Sequence, residues 1–137
     1  MNRHMQSSKS PLVSIVIDSY NYDRYLEEAI NSALNQTYPK IEVIVVDDGS
    51  TDNSREIISR YASAGLVKAV LKENGGQASA MNAGFEVSSG DLVVFLDSDD
   101  VLKPEAIEVA AKAWYPGVSK VQWRMEGVDG NLAPIGM

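Results

Sequence analysis

Six of the chain's 19 Asp and Glu residues fall in two short runs, Asp47-Asp48-Gly49-Ser50-Thr51-Asp52 and Asp97-Ser98-Asp99-Asp100. Carboxylates that close repel one another by roughly a few tenths of a kcal/mol or more per pair. Such clusters persist where a cation or a ligand donor offsets the repulsion. Hard oxygen groups of this kind suit Mg²⁺ or Mn²⁺, which take one or two carboxylates and complete their shell with water and phosphate oxygens. Singly, the acids have plainer uses: Asp47 or Asp48 as a turn residue before Gly49, Asp52 as a helix cap, and Asp-x-Asp as a chance pattern. Two clusters that each follow an apolar run in one small domain are more specific and point to a metal-assisted nucleotide site.

The rest of the composition narrows the chemistry. Twelve Lys and Arg against 19 acids leave a net charge of −7, which argues against nucleic acid as a partner because that affinity is built on clustered cations. With no cysteine and only His4, thiolate chemistry and histidine-rich metal sites are excluded and a Ser-His-Asp triad is disfavoured.

The 137 residues are enough for one domain, and elements that could position the acids alternate from Leu12 onward. Leu12-Val13-Ser14-Ile15-Val16-Ile17 reads as a strand buried on both faces, and Val43-Ile44-Val45-Val46 as a second. Between them, Leu26, Ala29, Ile30, Ala33 and Leu34 have the spacing of one helix face, and Pro39 closes the unit. Ser50, Thr51 or Asp52 can cap a helix that buries Ile57, Ile58 and Tyr61. A third strand at 67–71, an Asn74-Gly75-Gly76 turn and a helix at Gln77–Val87 follow, then a fourth strand, Leu92-Val93-Val94-Phe95-Leu96. Pro104 and Glu105 suit the start of a helix running to about Trp114, residues 118–124 read as a fifth strand, and Asp129-Gly130 as a turn. The fold class is therefore α/β, a mainly parallel sheet flanked by helices, with the acids at strand carboxyl ends where such sheets bind ligands. Residues 1–11 read as a disordered tail or cloning remnant, and residues 12–137 as the domain.

Several motifs in register resemble the N-terminal half of a family 2 glycosyltransferase: Ser14-Ile15-Val16-Ile17-Asp18-Ser19-Tyr20-Asn21, Leu26-Glu27-Glu28-Ala29-Ile30, Asn35-Gln36-Thr37-Tyr38-Pro39, Val45-Val46-Asp47-Asp48-Gly49-Ser50-Thr51-Asp52, Asn74-Gly75-Gly76 with Asn82-Ala83-Gly84, and Phe95-Leu96-Asp97-Ser98-Asp99-Asp100. The resemblance covers about residues 12–114 and implies a GT-A fold, Rossmann-like and truncated after about five strands. It implies that Ser19 and Tyr20 lie near the base and ribose, that Asp48 hydrogen-bonds the uracil ring with Asp47 supporting the turn, that Asp97 faces the ribose and the metal shell, and that Asp99 binds Mn²⁺ or Mg²⁺. Asp100 is their neighbour without an assigned role. Asn82 is either a sugar-pocket contact or a surface residue. Where members of the family often carry Pro, this chain has Asp18, and the resemblance assigns it no role.

The implied activity is transfer of a sugar from a nucleotide-diphosphate donor, with a UDP-sugar favoured, to a hydroxyl of a glycan or lipid acceptor, with inversion. Members of the family run longer and carry their catalytic base in the second half, and neither Glu126 nor Asp129 sits in a recognisable base motif. The chain thus reads as a donor-binding half, able to self-associate through strand edges left exposed. No targeting segment is evident, which implies the cytoplasm or the inner face of a membrane. Gly75 and Gly76 read either as a turn or as backbone N–H donors to an anion, Lys72 and Arg55 as solvated charges, and Trp114, Tyr115 and Trp123 as packing residues. Competing readings are a nucleotide-binding module without activity, and a receiver domain. The receiver is disfavoured because the acid pair follows the second strand and residues 121–124 supply no Lys. A dinucleotide-binding domain is disfavoured because no G-x-G-x-x-G follows the first strand.

Overall fold

The apolar run at the start of the domain becomes β1 (Val13–Ser19), an inner strand of the sheet. The structure, a computed structural model, describes residues 10–114, 121–126 and 131–134. After β1 come α1 (Asp23–Leu34), β2 (Ile41–Asp48), α2 (Ser54–Ser63), β3 (Lys68–Lys72), α3 (Gln77–Val87), β4 (Leu92–Asp97), α4 (Ala106–Lys112), β5 (Val121–Glu126) and β6 (Asn131–Pro134). The sheet has six strands in the order β3-β2-β1-β4-β5-β6, one more than the sequence reading. All pairs are parallel except β5–β6. The start of the fifth strand read at residue 118, the turn at Asp129-Gly130, Tyr115 and the side chain of Trp123 lie outside the described residues, as do residues 1–9. Pro11, read as tail, is buried and its carbonyl accepts a hydrogen bond from the Tyr38 hydroxyl, so the domain begins before residue 12.

Strand alternation sorts the core into two layers. Val13, Ile15 and Ile17 of β1, with Val43 and Val45 of β2 and Val94 and Leu96 of β4, pack with Leu26, Ala29, Ile30 and Ala33 of α1 and with buried residues of α2 and α4. Trp114 packs partly buried against this layer, as read. Val16, Ile44, Val46, Val93 and Phe95 face the other way and meet Ala80 of α3. The small residues of α3 let it sit close to the sheet: a Cβ on Gly84 would lie 2.3 Å from Val16 Cγ1.

The layers follow from the winding. Parallel crossovers are right-handed almost without exception, so a chain that steps outward from β1 to β3 with helices on one face must return to β4 across the opposite face. The strand order reverses at β1, and a crevice opens between the carboxyl ends of β1 and β4.

At the amino ends, a polar knot aligns the strands. Ser14 Oγ donates to Glu42 Oε1 at 2.6 Å and accepts from the Gly90 N–H at 2.9 Å, while Glu42 also accepts from the Ser89 N–H and from Lys68. No helix among the described residues is long and apolar enough to cross a membrane.

Candidate functional site

The doublet that ends β2 is divided by the pleat. Asp47 points with Val43 and Val45, and Asp48 with Ile44 and Val46 towards α3. Asp47 is fully buried, and its Oδ2 accepts from the N–H groups of Gly49 and Ser50 at 3.2 and 2.9 Å and from Arg55 Nε at 2.8 Å. Its contacts close the turn that follows β2. Gly49 completes that turn at φ 87°, where a Cβ would also meet the Asn74 nitrogen at 2.6 Å.

Asp48 is held as tightly. Oδ1 accepts from Lys72 Nζ at 2.8 Å and the Gly75 N–H at 2.9 Å, and Oδ2 from the Gly76 N–H at 2.9 Å and Asn74 Nδ2 at 3.2 Å. Burial alone would push this carboxyl up, but the Lys72 ammonium and the two glycine N–H groups outweigh it and hold Asp48 below the usual carboxylate value. These contacts correct two readings. Lys72 and Arg55 are ion-pair partners of Asp48 and Asp47, not free solvated charges. The anion held by the Gly75-Gly76 N–H groups is the protein's own Asp48 carboxylate. Four donors fill the roughly four lone-pair positions of a carboxylate, so a base N–H reaching Asp48 must displace one, and Asn74 at 3.2 Å is the longest contact.

At the crevice, Asp18 and Asp97 face each other as register partners on β1 and β4. Both lie on the α3 side, and the Gln77 amide in the first turn of α3 bridges them, with Nε2 2.7 Å from Asp97 Oδ1 and 3.3 Å from Asp18 Oδ2. Only the NH₂ end of an amide can face two carboxylates, which fixes its orientation. Asp18 Oδ1 is buried without a partner. Burial first, and the adjacent Asp97 charge second, push the Asp18 carboxyl up to about 7.

Asp97, Asp99 and Asp100 can bring one carboxylate oxygen each within 4.8 Å of one another. Burial, then the charges of Asp99 and Asp97, raise Asp100 above the ordinary value. Ion pairs among the described residues engage Asp47, Asp48, Glu42 and Glu27, and none reaches these three acids. A set of hard oxygens without a compensating cation of its own fits Mg²⁺ or Mn²⁺.

One open cleft of about 460 Å³ is lined by Asp18, Ser19, Tyr20, Tyr22, Asp48, Asn74, Gly76, Gln77, Ala80, Asp97, Ser98 and Asp99. Ser19 is 1% exposed and its Oγ has no partner, while Tyr20 is half exposed at the rim. The cleft thus gathers Ser19, Tyr20, Asp48, Asp97 and Asp99. Asp47 lies beneath it, and Asn82 is exposed on α3 outside its lining. The sequence reading names neither Gln77 nor Tyr22 as a site residue and gives Asp18 no role; strand alternation is a signal that can put Asp18 on the same face as Val16, but nothing local links Gln77 to acids 20 and 59 residues away. The N-cap position of α2 is Asn53, one past the residues read for it, but Asp52 still serves the helix start: its Oδ1 accepts from the Ser54 N–H at 2.9 Å and its Oδ2 from the Asp23 N–H at 3.0 Å, so it ties α2 to α1.

A doubly wound sheet with acids ringing its switch-point cleft defines an open α/β domain of the class that binds ligands at strand carboxyl ends, and its relatives specify the kind. The profile of Glycosyl transferase family 2 matches residues 14–131, and the chain belongs to that family. It is 43% identical over 122 residues to an uncharacterised glycosyltransferase of Nostoc sp., covering 87% of this chain and 38% of that protein. Staphylococcus aureus TarS 1–349, solved with UDP-GlcNAc, superposes with a TM-score of 0.67 at 34% identity, covering 73% of this chain and 30% of that one. The mannosyltransferase PcManGT of Pyrobaculum calidifontis, solved with GDP-Man and Mn²⁺, gives 0.66 at 30% identity over 74% of this chain and 32% of that one. The fold is GT-A, as the resemblance implied, and the chain spans about a third of the length of these relatives.

Proposed function

We propose that this domain binds the nucleotide-diphosphate-sugar donor of a glycosyltransferase, with Mg²⁺ or Mn²⁺, for transfer to an acceptor hydroxyl with inversion. The observation that carries the reading is the convergence of Asp48, Asp97 and Asp99 from two separate strand ends on one cleft at the switch point. Asp99 and Asp97 would hold the cation, which when bound neutralises charge gathering on the departing diphosphate. Asp48, clamped by Lys72 and the glycine N–H groups, marks the base end, and Ser19 is a buried residue of the cleft lining whose Oγ has no protein partner. Likeness to TarS solved with UDP-GlcNAc supports a uridine donor. The acceptor is a glycan or lipid hydroxyl, and the setting is the cytoplasm or the inner membrane face, where sugar nucleotides are available. Self-association through uncovered sheet edges belongs to the same proposal.

Calorimetric titration of UDP, with GDP and dTDP as comparators, with and without Mn²⁺, tests this reading. Mn²⁺-dependent UDP binding that disappears in Asp99→Ala is expected. Folded protein that binds no nucleotide, or binds one equally well without the metal, would overturn it.

A further inference from the structure

Asp97 has two jobs at the crevice that a mobile side chain cannot do together: one oxygen meets the protein, and the other must be presented to the cleft. The protein contact is the Gln77 amide at 2.7 Å, and Gln77 Nε2 reaches at the same time towards Asp18 Oδ2 at 3.3 Å. An amide nitrogen has two hydrogens, so one Gln77 side chain can bind both acids without choosing between them. Asp18 is fixed on the neighbouring strand directly opposite Asp97, with its other oxygen buried. Gln77 itself is exposed on the first turn of α3 and has no other hydrogen-bond partner for that NH₂ group among those described. The chain Asp18···Gln77···Asp97 therefore takes an exposed amide, anchors it at a half-buried carboxylate, and uses it to fix one oxygen of Asp97.

We propose that Gln77 and Asp18 are positioning residues that set Asp97 for the divalent cation, an inference that rests on the cation reading above. Groups that orient a metal ligand in this way typically change metal affinity by about 10–100-fold when removed. Because the two residues act in series, removing either should break the relay, and removing both should do little more.

The test is titration of Mn²⁺ alone, followed by its paramagnetic resonance spectrum, against the wild-type chain, Asp99→Ala, Gln77→Ala, Asp18→Ala, Asp18→Asn and the Gln77→Ala/Asp18→Ala double variant. Urea unfolding verifies that each is folded. Gln77→Ala changes only an exposed side chain, and it decides the question should Asp18→Ala not fold. Expected are a loss of Mn²⁺ affinity of about 10–100-fold in both single alanine variants, the same loss in the double variant, and altered Mn²⁺ line widths. Asp18→Asn, whose carbonyl can still accept from Gln77, should recover affinity to within a few-fold of wild type. Unchanged affinity in Gln77→Ala, additive losses, or an Asp18→Asn as weak as Asp18→Ala would overturn the relay while leaving the cation site standing. Wild-type protein that binds Mn²⁺ no better than Asp99→Ala would bring down both.

Discussion

Asp48 and Lys72 are register partners on β2 and β3, and their side chains form an ion pair of 2.8 Å at the back of the cleft. Asp48 is 3% exposed, so its charge has exchanged water for Lys72 and three amide donors. Lys72→Met leaves a buried carboxylate short of its charged donor, at a cost of about 1–3 kcal/mol. Asp48 titrates below its ordinary 3.8 in the folded chain. The stability it contributes is thus present above 3.8 and is lost as pH falls towards the folded value. Urea unfolding across acid pH should show the gap between wild type and Lys72→Met widest above 3.8 and closing below it.

Asp18 works in the opposite sense. Its folded value of about 7 lies above the ordinary 3.8, so the native chain holds a proton that the unfolded chain has released. Stability from this group is full below 3.8 and declines as pH rises to about 7. Asp18→Asn cannot titrate. With a chelator present, its stability relative to wild type should climb through that window and level off beyond it. A flat difference curve would contradict the expectation.

Gly84 sets how near α3 lies to the sheet. A Cβ there would stand 2.3 Å from Val16 Cγ1 and 3.1 Å from Val46 Cγ2, both on fully buried side chains. Gly84→Ala should cost about 1–3 kcal/mol by overpacking and should weaken UDP binding, since α3 carries Gln77 and Ala80 into the cleft wall. Adding Val16→Ala should restore part of both. Thermal unfolding and calorimetry of the two variants check this.

Asp52 and Asp23 clasp the segments that lead into α2 and α1. Asp52 accepts from the Asp23 N–H at 3.0 Å, and Asp23 accepts from the Asn53 N–H at 3.1 Å. Asp52→Ala removes a cap from α2 and a donor's partner from α1, at about 1–2 kcal/mol. Once Asp52 is gone, Asp23→Ala should cost less than it does in the wild type. Urea midpoints of the four-way cycle measure that coupling.

Much of this architecture was legible because its signals are local. Strands buried on both faces read as unbroken apolar runs, and α1 declares itself by Leu26, Ala29, Ile30 and Ala33. The cleft acids were legible for the same reason, each following such a run. What escaped depends on separation along the chain. Lys72 finds Asp48 over 24 residues, Gln77 finds Asp97 over 20, and the Gly75-Gly76 N–H groups close on the acid that ends β2. Their residue types are common on surfaces, and only the register of the sheet brings them to their partners. Asn82 shows the converse: a motif position that the helix turns outward, away from the cleft lining.

The knot of Ser14, Glu42 and Ser89 at one end of the sheet turns strand length into a ruler. Measured from it, the count of residues decides both how far each acid projects and which layer it joins, at about 3.3 Å and one reversal per residue. Deleting a single valine from Val43-Ile44-Val45-Val46 would sink Asp48 into Asp47's place beneath Arg55, drive Asp47 into Val46's place in the core against α3, and leave Gly49 where the cleft's acid stood. These strands are accordingly far more tolerant of a changed side chain than of a changed length.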